Sequence, residues 1–128
     1  MTEKVKYWVD LSDYDFDTAL AMLNSERYLY VGFMCHQTVE KIFKAYFVFL
    51  RNENPPFSHS LSYIAKNGGF YKELNENLRD FIDQIEPLNI EARYPTYKNK
   101  LLKSLNKDKC AELIKNTKVL REWIKKKL

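Results

Sequence analysis

The chain predicts an all-α fold, an antiparallel up-down four-helix bundle with an additional short connector helix, and three observations carry that expectation. Only 3 Gly and 4 Pro occur in 128 residues, too few for the turns on which all-β folds spend them. Breakers divide the sequence into four long stretches and a short one, and each stretch repeats its apolar residues at helical steps of three and four. The connections are fairly short, which favours antiparallel neighbours. With 45% hydrophobic and 30% charged residues, there is enough apolar surface for one core, read as a single domain over residues 1–128.

The first helix is expected from Val5 to Asn24, with Trp8, Ser12, Asp15, Phe16, Ala19, Met22 and Leu23 on one face. A second, from Glu26 to Arg51, carries Tyr30, Phe33, Met34, Ile42, Tyr46, Phe49 and Leu50 and stops at Asn54-Pro55-Pro56. Ser58 is placed as the cap of the connector, whose Leu61, Ile64 and Ala65 face inward until Asn67-Gly68-Gly69 supplies a left-handed stop. The next helix runs from Phe70 to Glu86, burying Leu74, Leu78, Phe81, Ile82 and Ile85, and Pro87 ends it. After the segment Leu88 to Pro95, a last helix from Lys107 to Lys127, capped by Asn106, presents Cys110, Leu113, Ile114, Thr117, Leu120, Trp123 and Ile124.

Composition also excludes function classes. The sole adjacent glycine pair is Gly68-Gly69, so neither a phosphate loop nor a dinucleotide fingerprint is present. Two His and two Cys at unrelated spacings give no zinc pattern. Cys35 and His36 adjoin in sequence, but neighbours on a helix diverge by about 100° and cannot form a dyad. No cofactor or metal is expected. No run reaches the roughly 18 apolar residues of a membrane span, and the first ten residues lack a secretory apolar core. A cytoplasmic protein with no membrane partner is therefore expected, its cysteines free and buried.

The formal net charge of +4 conceals an asymmetry. Residues 98–128 carry 11 Lys/Arg against 3 Asp/Glu, and residues 1–97 carry 10 against 14. Such a basic tail suits either a helix C-terminus or a phosphate backbone.

The most informative stretch is the polar stripe of the second helix, where Gln37, Glu40, Lys41 and Lys44 stand at i, i+3, i+4 and i+7. One reading is a solvated face with a Glu40–Lys44 pair worth about 0.3–0.5 kcal/mol. The other is a cleft wall, in which the lysines hold phosphate while Glu40 and Gln37 orient them. Two further segments beside helix ends would close such a site: Ser58-His59-Ser60-Leu61, and Ile90 to Tyr97, in which Arg93 precedes Tyr94 and Pro95. Arg93 offers a forked grip on phosphate, or a loop-fixing ion pair. His59 offers a titratable imidazole, or a cap for the connector.

Taken in order, Trp8, Asp15-Phe16 and Ala19, then Gln37-x-x-Glu40-Lys41-x-x-Lys44-Ala45, then His59-Ser60-Leu61, then Ala92-Arg93-Tyr94-Pro95 resemble the pattern of a HEPN domain. This is the small helical module of higher eukaryotes and prokaryotes associated with nucleotide binding. The resemblance implies a homodimer with a cleft near the interface and, often, a minimal nucleotidyltransferase partner encoded as a separate chain, in a toxin-antitoxin-like system. It points to Asp15, Gln37, Glu40, Lys41, Lys44, His59, Arg93 and Tyr94 as nucleotide- or phosphate-binding candidates, and to Tyr94 or Tyr97 as modification sites. Many relatives are metal-independent ribonucleases marked by Arg followed, four to six residues later, by His. No histidine occurs beyond His59, and Arg51 and His59 are separated by seven residues. The expectation is therefore a nucleotide- or RNA-binding module without a catalytic residue, the alternative being a ribonuclease with a divergent site.

Overall fold

A computed structural model describes residues 1–91, 100 and 103–128, with the side chains of Ile90 and Glu91 excepted. The regular structure among the described residues is helical, with no strand. The helices include α1 (Glu3–Asn24), α2 (Tyr28–Arg51), α3 (Leu61–Gly68), α4 (Glu76–Ile85), α5 (Leu88–Glu91) and α6 (Lys107–Lys125), with a 3₁₀ turn at Tyr71–Glu73.

Local chemistry sets most boundaries. Thr2 caps α1 by accepting from Val5 N at 3.2 Å, which starts the helix two residues before the expected Val5. At the other end Glu26 takes the left-handed conformation, φ 61°, while Arg27 N donates to Met22 O. Glu26 thus belongs to the turn, and α2 begins at Tyr28 rather than Glu26. The connector's cap is Ser60, not Ser58: Ser60 Oγ accepts from Tyr63 N, and Ser58 Oγ accepts from Ser60 N just before it. Gly69, at φ 82°, then supplies the left-handed stop that was expected there. The helix expected from Phe70 is interrupted, because Asn75 Oδ1 accepts from Leu78 N at 2.9 Å and starts α4 at Glu76. The expected cap of the last helix is correct, Asn106 Oδ1 accepting from Lys109 N. That helix ends at Lys125, short of the expected Lys127.

The bundle runs up-down-up-down. Tyr28 O and Cys35 on α2 face Cys110 and Thr117 on α6, pairs that advance together and make those two helices parallel. Tyr46 and His36 instead reach Glu73 and Glu86, so α4 runs against α2. A three-residue turn returns α2 along α1, where Ser12 Oγ donates to Thr38 O at 2.8 Å. Asp13 ties α1 to α6 through Arg121 and Lys125, each at 2.6 Å. Burial raises its carboxyl, but the hydrogen bonds from Lys125 and Arg121 more than offset this and hold it below its ordinary value.

Packing against α1, α3, α4, α5 and α6, α2 forms the centre of the molecule. Val31, Cys35, Val39, Ile42, Phe43 and Ala45 are buried around most of its circumference, so one apolar stripe describes it poorly. Tyr30, Phe49 and Leu50, expected inside, are exposed. They lie near the ends of a 24-residue helix that the 8 residues of α3 and the 10 of α4 cannot cover.

Burial pushes the Cys35 thiol up to about 12, despite the opposing influence of the neighbouring Thr117 hydroxyl, and the Cys110 thiol to about 11. Both are free. A disulfide reagent at pH 8 is therefore expected to leave both thiols unreacted in the native protein and to titrate both after denaturation. Native thiols retain protons that unfolded thiols release, so this contribution to stability falls as pH rises from the ordinary thiol range, about 8.5, towards 11. Rapid labelling of the native state at pH 8 would show that α6 opens readily from α2.

Candidate functional site

Lysine has only donors, and this property fixes the hydrogen bonds of the site from one end. Lys41 Nζ donates to Asp15 Oδ2 at 3.0 Å and to Gln37 Oε1 at 3.1 Å. The Gln37 amide nitrogen is thereby turned the other way, donating to Asn89 Oδ1 at 3.0 Å and, at 3.4 Å, facing His36 Nδ1. With Nδ1 an acceptor, the proton of neutral His36 sits on Nε2, which donates to Glu86 Oε2 at 2.8 Å. Glu86 Oε1 accepts from Leu61 N at 2.7 Å, satisfying one of the orphan donors at the start of α3.

A second branch centres on Glu40, whose side chain is 2% exposed. Its Oε2 accepts from Lys44 Nζ at 3.2 Å and its Oε1 pairs with His59 Nδ1 at 2.9 Å. His36 Nδ1 stands 4.0 Å from the same Oε1, which joins the two branches. Lys44, itself 8% exposed, lies 5.4 Å from the centroid of the Trp8 ring. The i, i+3, i+4, i+7 stripe is therefore no solvated face: Gln37, Glu40 and Lys44 are buried and Lys41 is partly so. It is overlaid by α1 at Trp8 and Asp15, by the start of α3, and by the turn around Glu86 and Asn89.

Asp15, Gln37, Glu40, Lys41, Lys44 and His59 thus form one contiguous network. Arg93, Tyr94 and Tyr97 lie outside the described residues. Four residues join that were not among the sequence candidates: His36, Glu86, Asn89 and Trp8. Cys35 and His36 diverge as helical neighbours must, Cys35 facing Thr117 and His36 facing Glu86. The one signal for His36 is its place one residue before Gln37. Glu86 and Asn89 carried none, because their role comes from the tertiary turn around Pro87.

The network opens to solvent at two places. One is a cleft of about 180 Å³ lined by His59, Ser60, Glu86 and Asn89, into which His59, with 59% of its side chain exposed, presents its edge. The other is a cavity of about 420 Å³ on the far side of Lys44. Among the described residues there is no group of three or more His, Cys, Asp or Glu able to hold a metal ion. No described helix is long and apolar enough to cross a membrane.

A family model described as HEPN domain matches residues 5–128. The fold is similar to the crystal structure of TT1696 from Thermus thermophilus, with a TM-score of 0.85 at 15% identity, covering 99% of this chain and 100% of that one. No curated protein matches.

Proposed function

We propose the function of this chain from one premise: it belongs to the HEPN domain family. The chain acts as a small nucleotide- or RNA-binding module, a homodimer that partners a minimal nucleotidyltransferase in a toxin-antitoxin-like system. What carries the reading is the burial of the Glu40 network. Paired charges inside a bundle contribute less stability than well-packed apolar groups of equal volume, so their presence calls for another explanation, and a ligand supplies one. Among the described residues Lys41 spends two of its three donors on Asp15 and Gln37, which leaves one for a phosphate oxygen.

The described network, counting the carboxylates of Asp15, Glu40 and Glu86 against the ammonium groups of Lys41 and Lys44, is itself slightly acidic. Attraction of phosphates at longer range therefore falls to the basic residues 98–128, with Arg93 as the proposed phosphate clamp. Tyr94 and Tyr97 are the proposed acceptors if the partner transfers a nucleotidyl group, the phenol oxygen attacking the α-phosphorus and pyrophosphate leaving. Incubation with such a partner and a nucleoside triphosphate tests this. A mass increment lost in Tyr94→Phe or Tyr97→Phe is expected, and none in the unmodified chain overturns it.

Binding is tested by titrating single-stranded RNA at about 50 and 200 mM salt. Affinity is expected to fall with salt, and Lys41→Met to weaken binding across sequences and lower the salt slope by about one. No binding at the lower salt overturns the reading. One observation favours the alternative, a ribonuclease with a divergent site: Glu40 engages His59 Nδ1, so Nε2 of this 59% exposed side chain is the ring nitrogen left to act as a general base. RNA cleavage in chelator that His59→Ala abolishes would promote that alternative. Intact RNA is the expected result.

A further inference from the structure

We propose that the cavity beyond Lys44 seats an unpaired nucleobase, carried by a free nucleotide or by one residue of a single-stranded RNA. The inference rests on the nucleotide-binding reading and adds the place where the base goes.

The cavity lies between the start of α1, the C-terminal half of α2 and the stretch Asn54–Phe57, and its volume of about 420 Å³ falls within the range of small-molecule sites. Three aromatic rings surround it. Tyr7 and Trp8 meet edge to face, with centroids 5.2 Å apart and planes at 81°, and Phe57 is fully exposed at 109%. Nothing in the described chain covers Phe57. Pro55 and Pro56 immediately before it restrict the backbone that carries the ring, which lowers the backbone freedom left to lose on binding.

The cations in the lining decide what kind of ligand fits. Lys4 and Lys44 stand among the rings, and Lys44 Nζ is already over Trp8. A purely apolar occupant would strip water from the exposed Lys4 ammonium and give nothing back. A nucleotide supplies both halves, a flat ring to stack and a phosphate to meet the lysines. Asn54 on the same lining brings an amide donor and acceptor for a base edge. Continuity supports the placement, because Lys44 is hydrogen-bonded to Glu40 on one side and lines the cavity on the other. A base held here is therefore adjacent to the network proposed to serve the phosphates.

The test uses the full chain with Trp123→Phe, which leaves Trp8 as its one tryptophan. It is titrated with AMP, with oligoadenylate RNA, and with an abasic strand of equal length and charge. Quenching of Trp8 by AMP or oligoadenylate is expected, with the base-bearing strand bound about tenfold more tightly than the abasic one. Phe57→Ala, a change at a fully exposed position that the fold tolerates, should remove that preference and leave abasic binding unaltered. AMP and oligoadenylate distinguish the two sources of the base. Equal affinity for base-bearing and abasic strands overturns the base pocket while the phosphate-binding reading stands, and binding of neither strand nor AMP overturns both. If Phe57→Ala instead converts a dimer to a monomer, the occupant is a second copy of the chain and the base assignment is wrong.

Discussion

Glu40→Ala is expected to lower the unfolding free energy by about 3–5 kcal/mol, because it removes one member of a buried ion pair and leaves the other in place. Lys44 is 8% exposed and donates to Glu40 Oε2 at 3.2 Å, and truncation would leave its ammonium facing the Trp8 ring with no carboxylate behind it. His59 loses its Nδ1 partner in the same step. Denaturant titration checks the effect, provided the slope with denaturant is unchanged. A decisive control is the double variant Glu40→Met with Lys44→Met, which replaces both charges with apolar groups of similar length and should recover much of the loss. Recovery of stability together with lost RNA binding would mean that the pair is kept for its ligand. A single-variant loss below about 1 kcal/mol would show that Lys44 reaches water, and would remove the burial on which the functional reading rests.

What the sequence made legible follows from how far each physical signal reaches. Caps and stops act over three or four residues, so Asn106, Gly69 and the end of the second helix before Asn54-Pro55-Pro56 can be read locally. Where two local signals competed, the reading slipped by a few residues: Ser58 and Ser60 both offer hydroxyls, and Asn75 interrupts an otherwise helical apolar pattern. The stripe of Gln37, Glu40, Lys41 and Lys44 was visible because helical spacing is fixed. Its burial was not, since that depends on which elements lie over it, and Glu86 and Asn89 arrive from about 50 residues away. For the same reason a middle helix packed on all sides misleads a search for one apolar face, and Tyr30, Phe49 and Leu50 were placed inside when they are exposed.

Phe70→Ala is expected to cost about 3–5 kcal/mol, the range for truncating a buried aromatic, and to lower Tm by roughly 10–20 °C for a chain of this size. Phe70 is wholly buried. Its ring meets Phe43 edge to face at 5.2 Å and lies 4.7 Å from Tyr46. A Cβ added to Gly68 would stand 2.7 Å from Phe70 Cε1, so the ring fills the space that a glycine at the end of α3 leaves open. With 8 residues, α3 is too short to persist by itself and depends on this packing and on its own buried Leu61, Ile64 and Ala65. Loss of the ring should therefore be felt first in α3, read as faster amide exchange across Leu61–Gly68 than across α1. His59 sits two residues before α3 and would lose the fixed position from which it reaches Glu40, so RNA binding should weaken at temperatures where α1 and α2 are still folded. An unchanged exchange rate in α3 would mean that the Leu61 N to Glu86 bond anchors the connector without the aromatic cluster, and the site would then be held from the α4 side alone.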